Sequence, residues 1–475
     1  MPGTLPHRPA ARPCPARDGP RPPCRPYAAQ AGFRRPRGVE RGSASTVCRA
    51  CPASAARRPC PTEEDAIPAP RSPHQARPRP RLRRALTALS ACAVLAAGAP
   101  AAARPAADDA TKTVSYRGHS FTVPAGWPVV DLDQEPTACV RFDRHAVYLG
   151  TPGERQDCPA RAVGRTEALW VQPAPATKAS VTEDRTSRVY RGTATNEGIS
   201  VTAPYGENRA EIQRVLRSAG LPVAAAVTGE HDQAPSARAV PADATAYQGR
   251  GFDTCTAPSR TAMNAWRDNS PYGAVGVYIG GVNRACAQAK LTAEWVQTRY
   301  ADGWRFFPLY VGPQPGSGAG SCQNSCASIN DPAPQGREAA EDAVAQAVAL
   351  GFAKGSVLYN DLEQYTPGGA LTARVLGYLE AWTERLHELG YRSGAYGSVS
   401  SLVADLVGNA GKVTLPDVIH FAHWNGENTT VHTAIPAGLW AGHQRIHQYA
   451  GNRTETYGAV TINIDRDQLD VGAGV

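Results

Sequence analysis

Residues 356–397 read SVLYNDLEQYTPGGALTARVLGYLEAWTERLHELGYRSGAYG, and this stretch decides the fold class. An apolar run at 356–362 is followed by a helical pattern at 370–389 and by a second apolar run at 392–396. Gly390 lies just past the helical pattern, where glycine commonly ends a helix. The order strand, helix, strand predicts a βα unit of a parallel sheet.

The same alternation extends from Tyr247 to the end of the chain. Eight strands are predicted, at 251–255, 274–279, 305–311, 356–362, 392–396, 418–423, 445–449 and 461–465. They predict an α/β fold, a (β/α)8 TIM-type barrel over residues 247–475. Helical patterns thin out late in the chain, so we expect the barrel to be irregular in its last third. An open doubly wound sheet is the alternative, although no glycine-rich phosphate loop follows the first strand.

A second, smaller unit is predicted before the barrel. Short apolar runs between 113 and 202 are separated by Gly and Pro, and an amphipathic pattern at 207–218 predicts one helix. We therefore expect a small β-rich or α+β accessory domain at 104–220. Residues 221–246 are rich in Ala, Pro and Asp without an apolar period, and they are predicted to form a linker.

The first 103 residues carry two different signals. Residues 1–84 hold 18 Arg and 18 Pro without an apolar period, which predicts disorder or a mis-assigned N-terminal extension. Residues 85–103 follow basic residues, contain a short apolar run and end in Ala101-Ala-Ala103, as a secretory signal peptide does. We expect a secreted protein, extracellular or associated with the cell wall, and both Sec and twin-arginine export remain open.

The distribution of charge and the length of the apolar runs each exclude one class of protein. Residues 1–84 have a net charge of +13, whereas residues 85–475 have a net charge of −5. The folded part therefore lacks the basic footprint of a nucleic-acid-binding protein. No apolar run reaches the ~18–20 residues that a membrane span needs, so no integral membrane segment is expected.

Six cysteines follow the predicted cleavage site, and an even number in an exported protein predicts disulfide bonds. Pairing neighbours predicts the bonds Cys139–Cys158, Cys255–Cys286 and Cys322–Cys326. The bond between Cys255 and Cys286 is expected to join loops that leave the same rim of the barrel. Zinc is the competing interpretation for the last pair, but no His lies near it, and we expect neither a metal nor a cofactor.

Acidic residues occupy the predicted strand ends, where the active sites of such barrels form. Asp253 ends the first strand, Asp361 and Glu363 end the fourth, and Asp465 ends the eighth. Asp361 and Glu363 are two residues apart, so both side chains point to one side of the strand. Four carboxyl groups in one mouth repel one another, and at least one should have a raised pKa.

Aromatic residues also lie at the predicted strand ends, where their flat faces can contact sugars. The candidates for substrate binding are Tyr310, Tyr396, Trp424 and Tyr449, together with Asp253 and Asp465. An isolated Asp at a strand end more often caps a helix or a turn. Tyr310 and Trp424 could instead simply close the core.

Six motifs occur in an order that resembles a known family. They are Gly251-Phe-Asp253, Asp361-Leu-Glu363, Gly390-Tyr-Arg-Ser-Gly-Ala-Tyr-Gly397, Phe421-Ala-His-Trp424, His447-Gln-Tyr449 and Asn463-Ile-Asp465. The order is similar to that of family-25 glycoside hydrolases, the muramidase-type lysozymes. The stretches 251–258 and 277–281 more closely resemble a related branch, the glycoside-hydrolase-like domain of secreted actinobacterial proteins. The resemblance covers about residues 247–475.

The resemblance to the lysozymes implies that Glu363 is a general acid. It implies that Asp361 steadies the substrate's 2-acetamido group while that group attacks the anomeric carbon, and that Asp253 and Asp465 tune charge and bind sugar. The implied function is a secreted glycosidase acting on peptidoglycan or another N-acetylated cell-wall glycan. The alternative is a non-catalytic glycan-binding barrel, which a blocked groove or an Arg paired with Glu363 would favour.

Overall fold

A computed structural model describes residues 110–194, 198–223, 239–316, 322 and 325–474. These residues lie within one compact unit, Gly98–Val475. The predicted extension at 1–84 and the predicted signal peptide at 85–103 fall outside the described residues, as does most of the predicted linker. The division into domains therefore stays a prediction.

The N-terminal region is rich in β-structure and holds one helix. Its elements are β1 (Thr111–Tyr116), β2 (His119–Pro124), β3 (Val129–Asp131), β4 (Val147–Leu149), β5 (Leu169–Pro173), β6 (Ser180–Asp184), β7 (Val189–Ala194), β8 (Ile199–Pro204) and α1 (Arg209–Ser218). Strands β1 and β2 form a hairpin, and the other six form a sheet in the order β3-β4-β5-β8-β7-β6. The side chain of Asn208 caps α1 by accepting a hydrogen bond from the Glu211 N–H.

The C-terminal region is a closed barrel of eight strands. Its elements are β9 (Tyr247–Asp253), α2 (Arg260–Asn269), β10 (Tyr272–Gly280), α3 (Ala293–Ala301), β11 (Arg305–Tyr310), α4 (Pro332–Ala349), β12 (Val357–Asp361), α5 (Gly369–Leu389), β13 (Arg392–Ser398), α6 (Ala404–Gly408), β14 (Val418–Ala422), β15 (Gln444–Tyr457) and β16 (Val460–Val471). The strands follow one another around the barrel in chain order, and β16 closes it against β9. None of the helices in the described residues is long and apolar enough to cross a membrane.

The prediction of a (β/α)8 TIM-type barrel is wrong. Strands β9 to β15 run parallel, but β16 runs antiparallel to both of its neighbours, β15 and β9. Helices follow the first five strands, whereas residues 423–443 connect β14 to β15 without a helix. The structure is therefore a closed mixed barrel with few helices.

The end of the chain departs from the prediction because it forms a long hairpin. Strand β15 ends at Tyr457 and β16 begins at Val460, so only two residues lie between them. Both of these residues, Gly458 and Ala459, have positive φ angles, of 56° and 64°. Two-residue turns of this kind join antiparallel strands, whereas parallel strands need a long crossover. A hairpin therefore replaces the last βα unit.

Alternation along the strands separates the inside of the barrel from the helix-facing layer. In β10, Ala274 and Tyr278 belong to the cluster that fills the barrel, whereas Val275 and Val277 pack in the layer beneath the helices. Every second residue of a strand points the same way. A residue has inward parity if it lies an even number of positions from a residue that points into the barrel, and outward parity otherwise. This parity decides whether a side chain at a strand end can reach the mouth.

Candidate active site

Four predicted acidic residues converge at the mouth formed by the strand ends. Asp253 ends β9, and Asp465 of β16 is its register partner on the adjacent strand. Asp361 ends β12, and Glu363 follows it by two residues. All four are nearly inaccessible, with exposed fractions between 0% and 4%. The carboxyl groups are close enough to influence one another electrostatically.

Gln314 holds the segment that carries Asp361 and Glu363. Its Nε2 donates to the Asp361 carbonyl oxygen at 2.8 Å, and its Oε1 accepts from the Glu363 N–H at 2.9 Å. The Gln314 side chain is fully buried. Because both bonds engage the backbone, they leave the two carboxyl groups available to face the mouth.

A second glutamine, Gln448 of β15, connects the other side of the mouth. Its Nε2 donates to Asp253 Oδ2 at 2.9 Å, while Tyr278 Oη donates to Asp253 Oδ1 at 3.0 Å. The Oε1 of Gln448 accepts from Tyr396 Oη and from Trp424 Nε1, each at 2.9 Å. Gln448 therefore links two of the predicted aromatic residues, Tyr396 and Trp424, to Asp253.

Burial favours the neutral form of the aspartates in the mouth. It raises the pKa of Asp253 well above its usual range, with the nearby Asp467 and Asp465 adding to the effect. Burial, followed by the neighbouring Glu363, raises the pKa of Asp361 well above its usual range. The pKa of Asp465 is raised as well, mainly by burial. The protonated aspartates can donate as well as accept hydrogen bonds.

Among the aspartates of the mouth, two carboxyl oxygens have no hydrogen-bond partner within the described residues. They are Asp361 Oδ1 and Asp465 Oδ2, and both are buried. Buried polar atoms in native proteins are nearly always hydrogen-bonded, and exceptions call for an explanation. Both atoms are suited to receive an N–H or O–H group from a bound molecule.

An arginine from the N-terminal region enters the mouth. The Nε of Arg161 lies 3.7 Å from Glu363 Oε1, and its Nη1 donates to Tyr396 Oη at 2.9 Å. Its guanidinium group also lies over the ring of Trp424, 5.3 Å from the ring centroid. The nearby Tyr396, then Glu363 and Asp465, raise the pKa of Arg161 above its usual value. A charged guanidinium group thus occupies the space beside Glu363.

Contacts with the barrel hold the segment around Arg161 in place. The Gly164 N–H donates to the Asn283 carbonyl oxygen at 2.9 Å, and Val163 pairs with Arg284 in an antiparallel bridge. Gly164 has a φ of 114°, and a Cβ atom there would lie 2.5 Å from the Ser325 hydroxyl oxygen. Only glycine accepts both this conformation and this close contact.

Three disulfide bonds join cysteines of the described residues, and two of them pack against each other at the rim. The bonded pairs are Cys139–Cys158, Cys255–Cys286 and Cys322–Cys326, the same pairs that the sequence predicts. Cys158 lies three residues before Arg161 and belongs to one buried cluster with Cys255 and Cys286. The first bond therefore ties the Arg161 segment to the rim beside Asp253.

Two predicted substrate-binding residues lie outside the mouth. In β11, Phe307 and Leu309 point into the barrel, and the side chain of Tyr310 points to the opposite side of the strand. Its ring packs against Trp382 of α5, and its hydroxyl donates to Asp342 of α4 at 2.7 Å. The structure therefore places Tyr310 outside the mouth.

Tyr449 is likewise directed away from the mouth, because it follows Gln448 in β15. Its ring centroid lies 6.1 Å from that of His447, which has the same parity. Gln448, the residue between them, points inward instead and bonds Asp253. The motif His447-Gln-Tyr449 therefore contributes its middle residue to the mouth.

A buried triad lies beneath the mouth and offers metal-ligand atoms. The ligand atoms of Asp253, His420 and Asp467 lie within 4.8 Å of one another. His420 Nε2 lies 2.9 Å from Asp467 Oδ1, and burial lowers the pKa of His420 to about 3. Burial and Asp465 raise the pKa of Asp467 well above its usual range. His420 and Asp467 bond each other directly, whereas His420 Nδ1 and Asp467 Oδ2 are buried without a hydrogen-bond partner among the described residues.

Several residues of the site lack an obvious signal in the sequence. Tyr278, Gln314 and Gln448 are uncharged and belong to no acidic motif, although strand parity marks Tyr278 and Gln448 as inward-facing. Arg161 lies about 200 residues before Glu363 in a segment without regular secondary structure. Nothing local in its sequence indicates that it contacts the barrel.

Part of this chain is similar to several solved structures, at low sequence identity. An uncharacterized protein of B. stearothermophilus shares 17% identity with a TM-score of 0.34, covering 46% of this chain and 95% of that one. The Tat-secreted protein Rv2525c of Mycobacterium tuberculosis, in complex with L-tartrate, shares 16% with a TM-score of 0.34, covering 47% and 96%. The catalytic domain of endolysin ply40, from bacteriophage P40 of Listeria monocytogenes, shares 10% with a TM-score of 0.30, covering 47% and 93%.

The family of the barrel follows from its sequence. No curated protein matches the chain. Residues 264–469 match the model of the Rv2525c-like, glycoside hydrolase-like domain, which covers nearly all of the barrel. The resemblance to a glycoside-hydrolase-like domain that the motifs indicated is confirmed. Residues 264–469 of this chain are therefore similar to the Rv2525c-like, glycoside hydrolase-like domain.

Proposed function

We propose that the chain is a secreted glycosidase that binds and cleaves peptidoglycan or another N-acetylated cell-wall glycan at the barrel mouth. The observation that carries the proposal is the position of Asp361 and Glu363 at the same strand end. Asp361 Oδ1 there has no hydrogen-bond partner among the described residues. The match to a glycoside hydrolase-like family supports the same class of reaction. The predicted signal peptide at 85–103 supports secretion.

In the proposed reaction, Glu363 acts as the general acid. Its proton passes to the glycosidic oxygen, the bond from that oxygen to the anomeric carbon breaks, and the leaving sugar departs as an alcohol. The carbonyl oxygen of the substrate's 2-acetamido group forms the new bond to the anomeric carbon. Water then opens this cyclic intermediate, and the product keeps the anomeric configuration of the substrate.

Asp361 positions the acetamido group in this scheme. Its unpartnered Oδ1 is placed to accept a hydrogen bond from the acetamido N–H, and the Gln314 contacts fix the backbone that carries it. Asp465 Oδ2 offers a second acceptor to a sugar hydroxyl. Trp424 is 50% exposed and presents a flat face to a sugar ring.

Asp361→Asn tests this assignment. We expect the release of soluble sugar from purified cell walls to fall about 100-fold, because the acetamido nucleophile loses its orientation. The measurement is the initial rate of sugar release by the full chain, with Asp268→Asn at an exposed position as the matched control. Equal rates for Asp361→Asn and the wild type would remove Asp361 from the mechanism.

A non-catalytic glycan-binding barrel is the second candidate, and one observation favours it. Arg161 pairs with the proposed acid and covers Trp424, so both groups are already occupied. In a barrel that had lost turnover, such an arginine would serve as part of a fixed binding surface. In the enzyme, it has to move aside before a sugar reaches Glu363.

Arg161→Gln separates the two candidates. For the enzyme, we expect about tenfold tighter binding to insoluble cell walls and faster sugar release, because a cation–π contact and an ion pair no longer compete with the glycan. Binding isotherms and release rates are compared with those of Arg155→Gln, an exposed change in the same segment. Weaker binding together with no sugar release from either protein would support the non-catalytic barrel.

A further inference from the structure

A cleft outside the barrel mouth is cationic and lined by no acidic residue in the described part of the chain. It has a volume of about 350 Å³ and lies between the N-terminal sheet and the outer side of the barrel. This volume is within the range of small-molecule sites. The polar residues that matter here are Gln172, Arg191, Thr202, Arg284, Gln288 and Gln346. The cleft can therefore offer positive charge and neutral hydrogen-bonding groups to the same molecule.

Three arginines meet at one end of this cleft. Arg191 and Arg284 line it, and Arg165 joins them in a smaller adjoining cavity. Arg165 is only 5% exposed, and its Nη2 donates to the Arg284 carbonyl oxygen at 2.8 Å. Arg284 Nη1 donates to the Ile279 carbonyl oxygen at 3.0 Å. Backbone contacts thus hold Arg165 and Arg284 in position.

Arg165 is buried and Arg284 is half-buried, yet both lack the carboxylate partners that such cations normally have. Within the described residues, no carboxylate oxygen lies within ion-pair distance of Arg165, Arg191 or Arg284. The Nε atoms of Arg165 and Arg284 are buried and have no hydrogen-bond partner there. Buried charges in proteins are paired or bind an ion. Arg165 and Arg284, with the exposed Arg191 beside them, are therefore prepared for an anion.

The electrostatics of the group agree with this geometry. Burial, followed by repulsion from Arg284 and Arg191, lowers the pKa of Arg165 to about 9. Burial, followed by repulsion from Arg191, lowers the pKa of Arg284 to about 10. Asp184 attracts both groups electrostatically, and Asp342 attracts Arg284. A bound anion would relieve the repulsion.

We infer that this cleft binds a small, hydroxyl-bearing organic anion, with a phosphate or carboxylate group held between Arg191 and Arg284. The paired N–H donors of arginine match the oxygen geometry of both groups. The amides of Gln172 and Gln346 and the hydroxyl of Thr202 then hydrogen-bond the neutral part of the ligand, whereas the Gln288 amide is held by the backbone of Cys255 and Ala257. This site is independent of the proposed glycosidase chemistry, which takes place at the mouth.

Calorimetric titration of the full chain at low salt tests the inference with matched probes. Glucose 6-phosphate and glucuronate carry the two anionic groups, and glucose is the neutral control. We expect the anionic sugars to bind and glucose not to bind. Arg191→Gln should weaken binding of the anions at least tenfold, since a charge-assisted contact is lost. Arg191 is exposed and its side chain holds no backbone, so the variant should fold.

Two controls locate the binding. Arg214→Gln removes an exposed arginine of α1 and should bind the anions as the wild type does. Glu363→Gln should also bind them normally, which separates this cleft from the mouth. The inference is overturned if the wild type binds neither anion, if glucose binds equally well, or if Arg191→Gln and Arg214→Gln bind alike. A loss of binding in Glu363→Gln alone would move the anion site to the mouth.

Discussion

Glu363→Gln is expected to reduce sugar release from purified cell walls by about 100-fold to 10,000-fold, the usual cost of losing a general acid. Glutamine keeps the shape of the side chain and can still hydrogen-bond the glycosidic oxygen, but it has no proton to transfer. The backbone N–H of residue 363 still bonds Gln314, so the segment keeps its position. The rate of soluble sugar release and the binding isotherm on insoluble walls are both measured.

Measuring both the rate and the binding separates a loss of catalysis from a loss of glycan binding. Binding should persist in Glu363→Gln, because the proposed sugar contacts with Trp424 and Asp465 are untouched. Glu294→Gln on α3 changes an exposed carboxylate and should leave both quantities unchanged. If wild type and Glu363→Gln bind walls equally and neither releases sugar, the glycosidase proposal fails and the glycan-binding barrel replaces it.

Strand parity explains which site residues the sequence can predict. Asp253 and Asp465 are register partners on adjacent strands, and both have the inward parity of their strands. Asp361 has the parity of Tyr359, which packs inside the barrel. Acidic residues with inward parity at a strand end are therefore predictable from the pattern alone.

The same rule explains why two of the predicted aromatic residues lie outside the mouth. Tyr310 and Tyr449 also end predicted strands, but they have outward parity, so a strand-end position alone does not bring them to the mouth. Leu309 and Ile446 point into the barrel. Tyr310 and Tyr449 lie one and three positions after them, so the side chains of both tyrosines point outward. Tyr310 instead belongs to the layer between the strands and α4 and α5.

Features that depend on distant contacts could not be predicted from local pattern. Arg161 reaches the mouth because a bridge at Val163 and a bond from Gly164 dock its segment on the barrel. Alternating strands and helices predicted eight parallel strands, yet the two-residue turn at Gly458 forces β16 to run antiparallel. A local turn here overrides a pattern that the rest of the barrel follows.

The buried acids of the barrel are also expected to make its stability decrease as the pH rises. Asp467 is fully buried, and burial together with Asp465 raises its pKa well above its usual range. The folded protein therefore keeps a proton that the unfolded chain releases above about pH 4. Its contribution to stability is fully present below that pH and is lost as the pH rises toward the raised pKa.

Asp467→Asn should remove this dependence, because an amide resembles the protonated carboxyl group and does not titrate. Relative to the wild type, the variant should gain about 1.4 kcal/mol of unfolding free energy per pH unit above the ordinary aspartate pKa. The gain continues until the raised pKa of Asp467 is reached. The lowered pKa of His420 makes stability rise with pH in both proteins, so this opposing effect largely cancels in the difference.

Urea unfolding of both proteins at pH 4.5, 5.5, 6.5 and 7.5 measures the difference. We expect the two free energies to converge at the lowest pH and to separate steadily as the pH rises, with the variant the more stable. Asp268→Asn, an exposed change, should follow the wild type throughout. Parallel curves for wild type and Asp467→Asn would mean that Asp467 is ionised in the folded barrel. The neutral triad beneath the mouth would then have to be abandoned, since an ionised Asp467 would need a positive partner such as a protonated His420.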